Sequence, residues 1–148
     1  MTLFGSRACD VYGVSMTSRF AVVGLVAADL GRSLAFYRRL GLAIPEGAEA
    51  APHVDVALPG GLRISWDTQD VIRAVDPAWT PPTGGHHIGL AFECDSPAEV
   101  DALYADLVAE GHHGQVPPWD AVWRQRYAVL HDPDGNSVEL FAPLGPPS

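Results

Sequence analysis

Apolar and polar positions along this chain fall into one pattern that occurs twice. Residues 20–27 are almost continuously apolar, as in a buried strand. Asp29 then stands where a helix cap is needed, and Leu30, Leu34, Tyr37 and Leu40 recur at the spacing of one helix face. Gly41 ends that helix as a C-terminal glycine. The order returns in the second half. Residues 88–92 form another apolar run, and Ser96-Pro97-Ala98-Glu99 is a capping box with proline at the first helical position. Val100, Leu103, Tyr104, Leu107 and Val108 follow at helical spacing, and Gly111 closes the helix. Short strand-like runs come after each helix: residues 53–58 and 62–66 in the first half, and 126–130 and 137–141 in the second, with another near 114–118.

Each half therefore reads βαβββ, and the chain reads as an α+β domain of two such modules. Module one covers residues 18–69 and module two 86–144. Positions 70–85 are rich in Pro and Gly and read as a linker. Residues 1–17 read as a tail, with Met16 a possible alternative start. One module exposes the concave face of a small curled sheet. Two modules side by side close such faces into a cleft, which is a natural small-molecule site.

Composition narrows the classes. With 148 residues there is enough chain for one domain with a real core. Eighteen acidic residues against nine basic ones argue against a nucleic-acid or anionic-membrane partner, which needs clustered Lys and Arg. No apolar run is long enough to span a bilayer. The first residues lack a basic start followed by an apolar core, so they do not read as a signal peptide. Cys9 and Cys94 make neither a disulfide framework nor a zinc motif. A cytoplasmic, reduced setting is expected. Nucleophile-elbow, phosphate-loop and dinucleotide-binding patterns are all missing.

The run HDPDGNSVELFAP, residues 131–143, carries the most information. A compact acidic turn feeds a short alternating strand with Ser137, Glu139 and Phe141 on one face and Val138 and Leu140 on the other. This turn and strand resemble the closing hairpin of modules in the vicinal oxygen chelate superfamily, which includes glyoxalase I, extradiol dioxygenases and the bleomycin-resistance type of drug-binding protein. AADLGRSLAFYRRLGL (residues 27–42) and HHIGLAFECDSPAEVDALYADLVAEG (residues 86–111) resemble its strand-to-helix pattern. The segments at 51–68, 81–87 and 117–136 look like the mitomycin-resistance branch, whose members bind an antibiotic without transforming it.

The resemblance frames the chemistry. Metalloenzymes of the superfamily take ligands from the first and last strands of each module, and the matching Glu binds the metal. Here the first position is Val22, and the last strand of module one offers Leu62, Ile64 and Trp66 as cavity-facing candidates. None is a metal donor. Only His86 or His87 and Glu139 remain, below the usual minimum of three. No metal and no cofactor are expected. The aromatic set suits a flat ligand. Trp119 and Trp123 lie in the proline-bounded segment PPWDAVW, read as a loop, and Trp119 is the candidate stacking wall. The resemblance gives His53 the role of a flat imidazole against the ligand, and Trp66, Trp123 and Tyr127 are weaker candidates. Glu139 and His87 complete the candidate set. The function this implies is sequestration of a planar aromatic or quinone-like antibiotic by a homodimer whose subunits share each cleft. The competing class is a metal-dependent lyase, isomerase or dioxygenase.

Overall fold

The computed structural model describes residues 18–146. The expected tail, Cys9 and Met16 lie outside the described residues. Ten elements follow in order: β1 (Val22–Ala27), α1 (Leu30–Arg39), β2 (His53–Ala57), β3 (Arg63–Thr68), α2 (Gln69–Val75), β4 (Gly89–Glu93), α3 (Pro97–Ala109), β5 (Gly114–Ala121), β6 (Gln125–His131) and β7 (Ser137–Pro143). They form two sheets, β1-β3-β2 and β4-β7-β6-β5. In each, the module's first strand lies parallel to its last and every other pairing is antiparallel. The α+β architecture is the expected one. The first sheet has three strands where the repeat expected four. The connection after α1 contains Pro45, a left-handed Gly47 and a short helical turn, Ala48–Ala50, rather than a further strand.

Local signals explain the helices. The Asp29 side chain accepts from the Arg32 amide at 3.1 Å and caps α1. Ser96 Oγ accepts from the Glu99 amide at 3.2 Å, and Glu99 accepts from Asp95 N at 3.0 Å, closing the capping box one residue early. Thr68 caps α2 by accepting from Val71 N. This cap makes the first part of the 70–85 segment helical. None of the helices among the described residues is long and apolar enough to cross a membrane.

The two modules pack through their helix-bearing sides. Leu25, Ala27, Val54, Val56, Ile64 and Trp66 from the first sheet meet Ala128, Leu130, Val138, Leu140 and Ala142 from the second in one buried cluster. α1 contributes Leu30, Leu34, Phe36 and Tyr37 to the same cluster. Its Tyr37 ring packs edge-on to Trp66 (5.5 Å between centroids) and lies 6.2 Å from Phe92, and Phe36 packs edge-on to His112 (4.8 Å). Burying each such side chain contributes about 1.5–3 kcal/mol. Packing through the helix sides leaves the opposite face of each sheet open.

Candidate functional site

Strand alternation and register fix what each open face presents. On the second sheet Val138, Leu140, Ala128 and Leu130 are fully buried on the helix side. Their alternates Glu139, Phe141, Tyr127 and Val129 therefore face away from it. Glu139 stands opposite Val129 on one neighbouring strand and Ala91 on the other, Phe141 stands opposite Tyr127, and Tyr127 opposite Trp119.

These positions bring four rings together. Tyr127 and Phe141 stack with 25° between planes and 6.3 Å between centroids. Trp119 and Trp123 meet Tyr127 edge-on at 5.6 and 5.3 Å, and each other at 6.0 Å. Trp119 is not in a loop. It belongs to β5, the sheet's outer strand, just past a register shift that follows Val116. Such an irregularity on an edge strand is where Pro117-Pro118 fits without costing ladder hydrogen bonds. Trp123 sits at the hairpin tip beside Arg124, whose φ is 68°, and is 54% exposed. Its indole N–H donates to Gln125 Oε1 at 3.0 Å. Phe141 stands outside the expected ligand set, although its alternation with Glu139 along the sequence marks the same face.

Glu139 rests against bare backbone. A β-carbon built on Gly89 would lie 2.6 and 2.8 Å from its two carboxylate oxygens. Burial first, and the Glu139 charge second, raise the Tyr127 hydroxyl pKa above its ordinary value. His87 is exposed ahead of β4 and makes no hydrogen bond to Glu139 among the described residues. Its neighbour His86 instead lies 6.5 Å from the His131 ring, which is 4.9 Å from His113. Burial, then the proximity of His113 and His86, lowers the His131 pKa. The acidic turn after His131 is capped by Asp132, whose Oδ1 accepts from Asp134 N and Asn136 N.

The first sheet's open face is polar. His53, Asp55 and Ala57 face it from β2, opposite Asp67, Ser65 and Arg63 on β3. His53 Nδ1 lies 2.6 Å from Asp67 Oδ1, and its Nε2 lies 3.5 Å from Asp55 Oδ2, which also pairs with Arg63. The hydrogen bond to Asp67 is the main cause raising the His53 pKa. The imidazole is thus held edgewise by carboxylates, a feature that the sequence reading of a free flat ring did not contain. Trp66 is corrected outright: it is fully buried on the helix side against Tyr37 and is no ligand wall. Leu62 and Ile64 line an apolar groove of about 680 Å³ that follows the free edge of β4, away from the aromatic cluster. Cys94 is buried, and burial pushes its thiol up to about 11, so it has no nucleophilic character.

The registers also test the metal site implied by the resemblance. Val22 pairs with Arg63 and Gly24 with Ser65, as Gly89 pairs with Ser137 and Ala91 with Glu139. Ser65 thus matches Glu139, and Val22 matches Gly89. These four positions supply one carboxylate. That set does not fit a divalent ion, which takes at least three protein ligands. Among the described residues no group of three His, Cys, Asp or Glu is arranged to hold one.

A family model described as the Glyoxalase/Bleomycin resistance protein/Dioxygenase superfamily matches residues 19–140. A glyoxalase/bleomycin resistance protein/dioxygenase from Nocardioides is 28% identical, with 92% of this chain and 91% of that one covered and a TM-score of 0.67. A protein of unknown function from Agrobacterium tumefaciens is also 28% identical, covering 87% and 97%, with a TM-score of 0.63. A glyoxalase/bleomycin resistance protein/dioxygenase family enzyme from Burkholderia phytofirmans shares the fold, with a TM-score of 0.72 over 86% of this chain and all of that one, at 22% identity. No curated protein matches the chain in sequence.

Proposed function

Because the chain belongs to the glyoxalase/bleomycin resistance protein/dioxygenase superfamily, we propose that it is a non-catalytic member that binds and sequesters a planar aromatic or quinone-like antibiotic in the cytoplasm. One observation carries this reading: the contiguous Trp119, Trp123, Tyr127 and Phe141 surface on a sheet face left open within one chain. Ring faces at a solvent boundary favour flat apolar ligands, and stacking adds about 0.5–1.5 kcal/mol per pair beyond burial. Binding of this kind needs only a preformed surface and a few polar anchors. The absence of a fitting donor set at the superfamily's four metal positions favours it over the metal-dependent lyase, isomerase or dioxygenase reading.

The homodimer belongs to the same proposal. Both open faces are turned from the shared core, and the first strand of each module, β1 or β4, is a free edge. A second copy would bring the polar face around His53 opposite the aromatic face and complete a cleft that one chain leaves as two separate walls. A closed two-fold pair is the commonest way to achieve this.

The test is a panel of planar antibiotics titrated by tryptophan fluorescence, with sedimentation and elemental analysis of the same preparation. Saturable quenching by a dimer, with the compound recovered unchanged, is the expected result. About one tightly bound Zn, Fe, Ni or Mn per chain, or chemical conversion of the compound, would overturn the reading.

A further inference from the structure

We infer that the open face of the second sheet takes a ligand with a positive charge, a planar aryl ammonium held between the ring cluster and the Glu139 carboxylate. This rests on the binding reading above and names its ligand class.

Glu139 is an acid among apolar neighbours. Val129 and Ala91 flank it across the sheet, Phe141 follows on its own face, and Gly89 gives it only bare backbone to lie on. The basic residues of this chain are nine arginines, with no lysine. Among the described residues Arg38, Arg39, Arg63, Arg73 and Arg126 all pair with other carboxylates. No ion pair or side-chain hydrogen bond within that set reaches Glu139. His131 shares this open face, and burial, then the nearby His113 and His86, lower its pKa, which disfavours a counter-charge there.

A neutral flat ligand covering this surface would strip water from an unpaired carboxylate, which opposes binding. A flat anion adds repulsion. A flat cation removes both objections, because its charge meets Glu139 while its ring system covers the aromatic faces. Tryptophan is the best ring for a cation, and two are present. Tyr127 shares this face with Glu139, whose charge adds to the larger effect of burial in raising its hydroxyl pKa. The net charge of −9 adds long-range attraction of the same sign.

The experiment compares three probes of similar shape: N-methylquinolinium, neutral quinoline and 2-naphthoate, titrated by tryptophan fluorescence at mildly alkaline pH. N-methylquinolinium should bind at least about 10-fold more tightly than quinoline, naphthoate most weakly, and added sodium chloride should shrink the preference. Glu139→Gln should erase the preference, weakening N-methylquinolinium while quinoline binds at least as tightly as before, because no carboxylate is left to desolvate. Val129→Arg, which sets a cation opposite Glu139, should do the same if Glu139→Gln folds poorly. Quinoline or naphthoate binding as well as N-methylquinolinium, or a preference that survives both variants, overturns the cation assignment alone. Failure of all three probes to bind overturns the binding reading with it.

Discussion

The buried Tyr37 hydroxyl on α1 donates to Asp132 Oδ2 at 2.7 Å, across 95 positions of sequence. Asp132 also accepts from the amides of Asp134 and Asn136 and from Asn136 Nδ2, so four donors surround one nearly inaccessible carboxylate. Burial first, and the Asp132 charge second, raise the Tyr37 pKa far above its ordinary value. The acidic turn therefore locks module two onto the helix of module one. Asp134 adds a second tie by accepting from Ala28 N at 2.8 Å. Tyr37→Phe removes one donor from a buried charge and should cost about 1.5–3 kcal/mol of stability. Urea unfolding should show a lower midpoint with an unchanged slope, while probe affinity of the folded protein stays the same.

Gly89→Ala separates site geometry from stability. The added β-carbon would meet only the movable end of Glu139, and Gly89 has no left-handed backbone to protect. Within a strand the change should be neutral or stabilising by up to about 1 kcal/mol, because alanine restricts the unfolded chain more than glycine. The carboxylate must shift, so the preference for N-methylquinolinium over quinoline should fall. An unchanged preference would show that the position of Glu139 over β4 is immaterial to binding.

Trp119 and Trp66 make a matched pair of truncations. Trp66 is fully buried, and Trp66→Ala should cost about 3–5 kcal/mol of stability. Trp119 is only half-buried at the outer strand of the second sheet. Trp119→Ala should leave folding nearly intact while losing about 2 kcal/mol of binding, roughly 30-fold in dissociation constant. A Trp119→Ala protein that unfolds, or that binds a planar compound as tightly as before, assigns Trp119 to structure alone.

Trp66 also shows where the sequence was legible and where it was not. Alternation marked β2, β6 and β7, and the caps at Asp29 and Ser96 marked both long helices. Alternation does not say which face a helix will cover, and the apolar set Leu62, Ile64 and Trp66 divides: Leu62 and Ile64 line the groove beside β4, whereas Trp66 is fully buried against Tyr37. Arg63, Ser65 and Asp67 alternate onto the other face. The same rule, applied to β7, puts Glu139 on the face opposite the buried Val138 and Leu140. Pro117-Pro118 mimics a loop break ahead of Trp119, whereas an edge strand with a register shift accommodates both prolines. The ties from Tyr37 to Asp132 and from His53 to Asp67 join residues far apart or on different strands, and no local pattern encodes them.

Two histidines on the two open faces should titrate in opposite directions. The hydrogen bond to Asp67 raises the pKa of His53, and burial followed by neighbouring His113 and His86 lowers that of His131. The ordinary histidine value is about 6.5. Imidazole C–H resonances should therefore show His53 midway in its titration above that value and His131 below it. The linkage signs differ accordingly. Stability from the His53–Asp67 pair is fully present below the ordinary histidine value and is lost as pH rises through the raised folded-state value. His131 acts the other way: its folded form resists the proton, so it destabilises progressively as pH falls from the ordinary value towards its lowered one. Asp67→Asn should return the His53 midpoint towards the ordinary value and leave that of His131 where it was. If Asp67→Asn leaves the His53 midpoint unmoved, the 2.6 Å contact does not persist in solution, and His53 is free to present its ring face to a ligand.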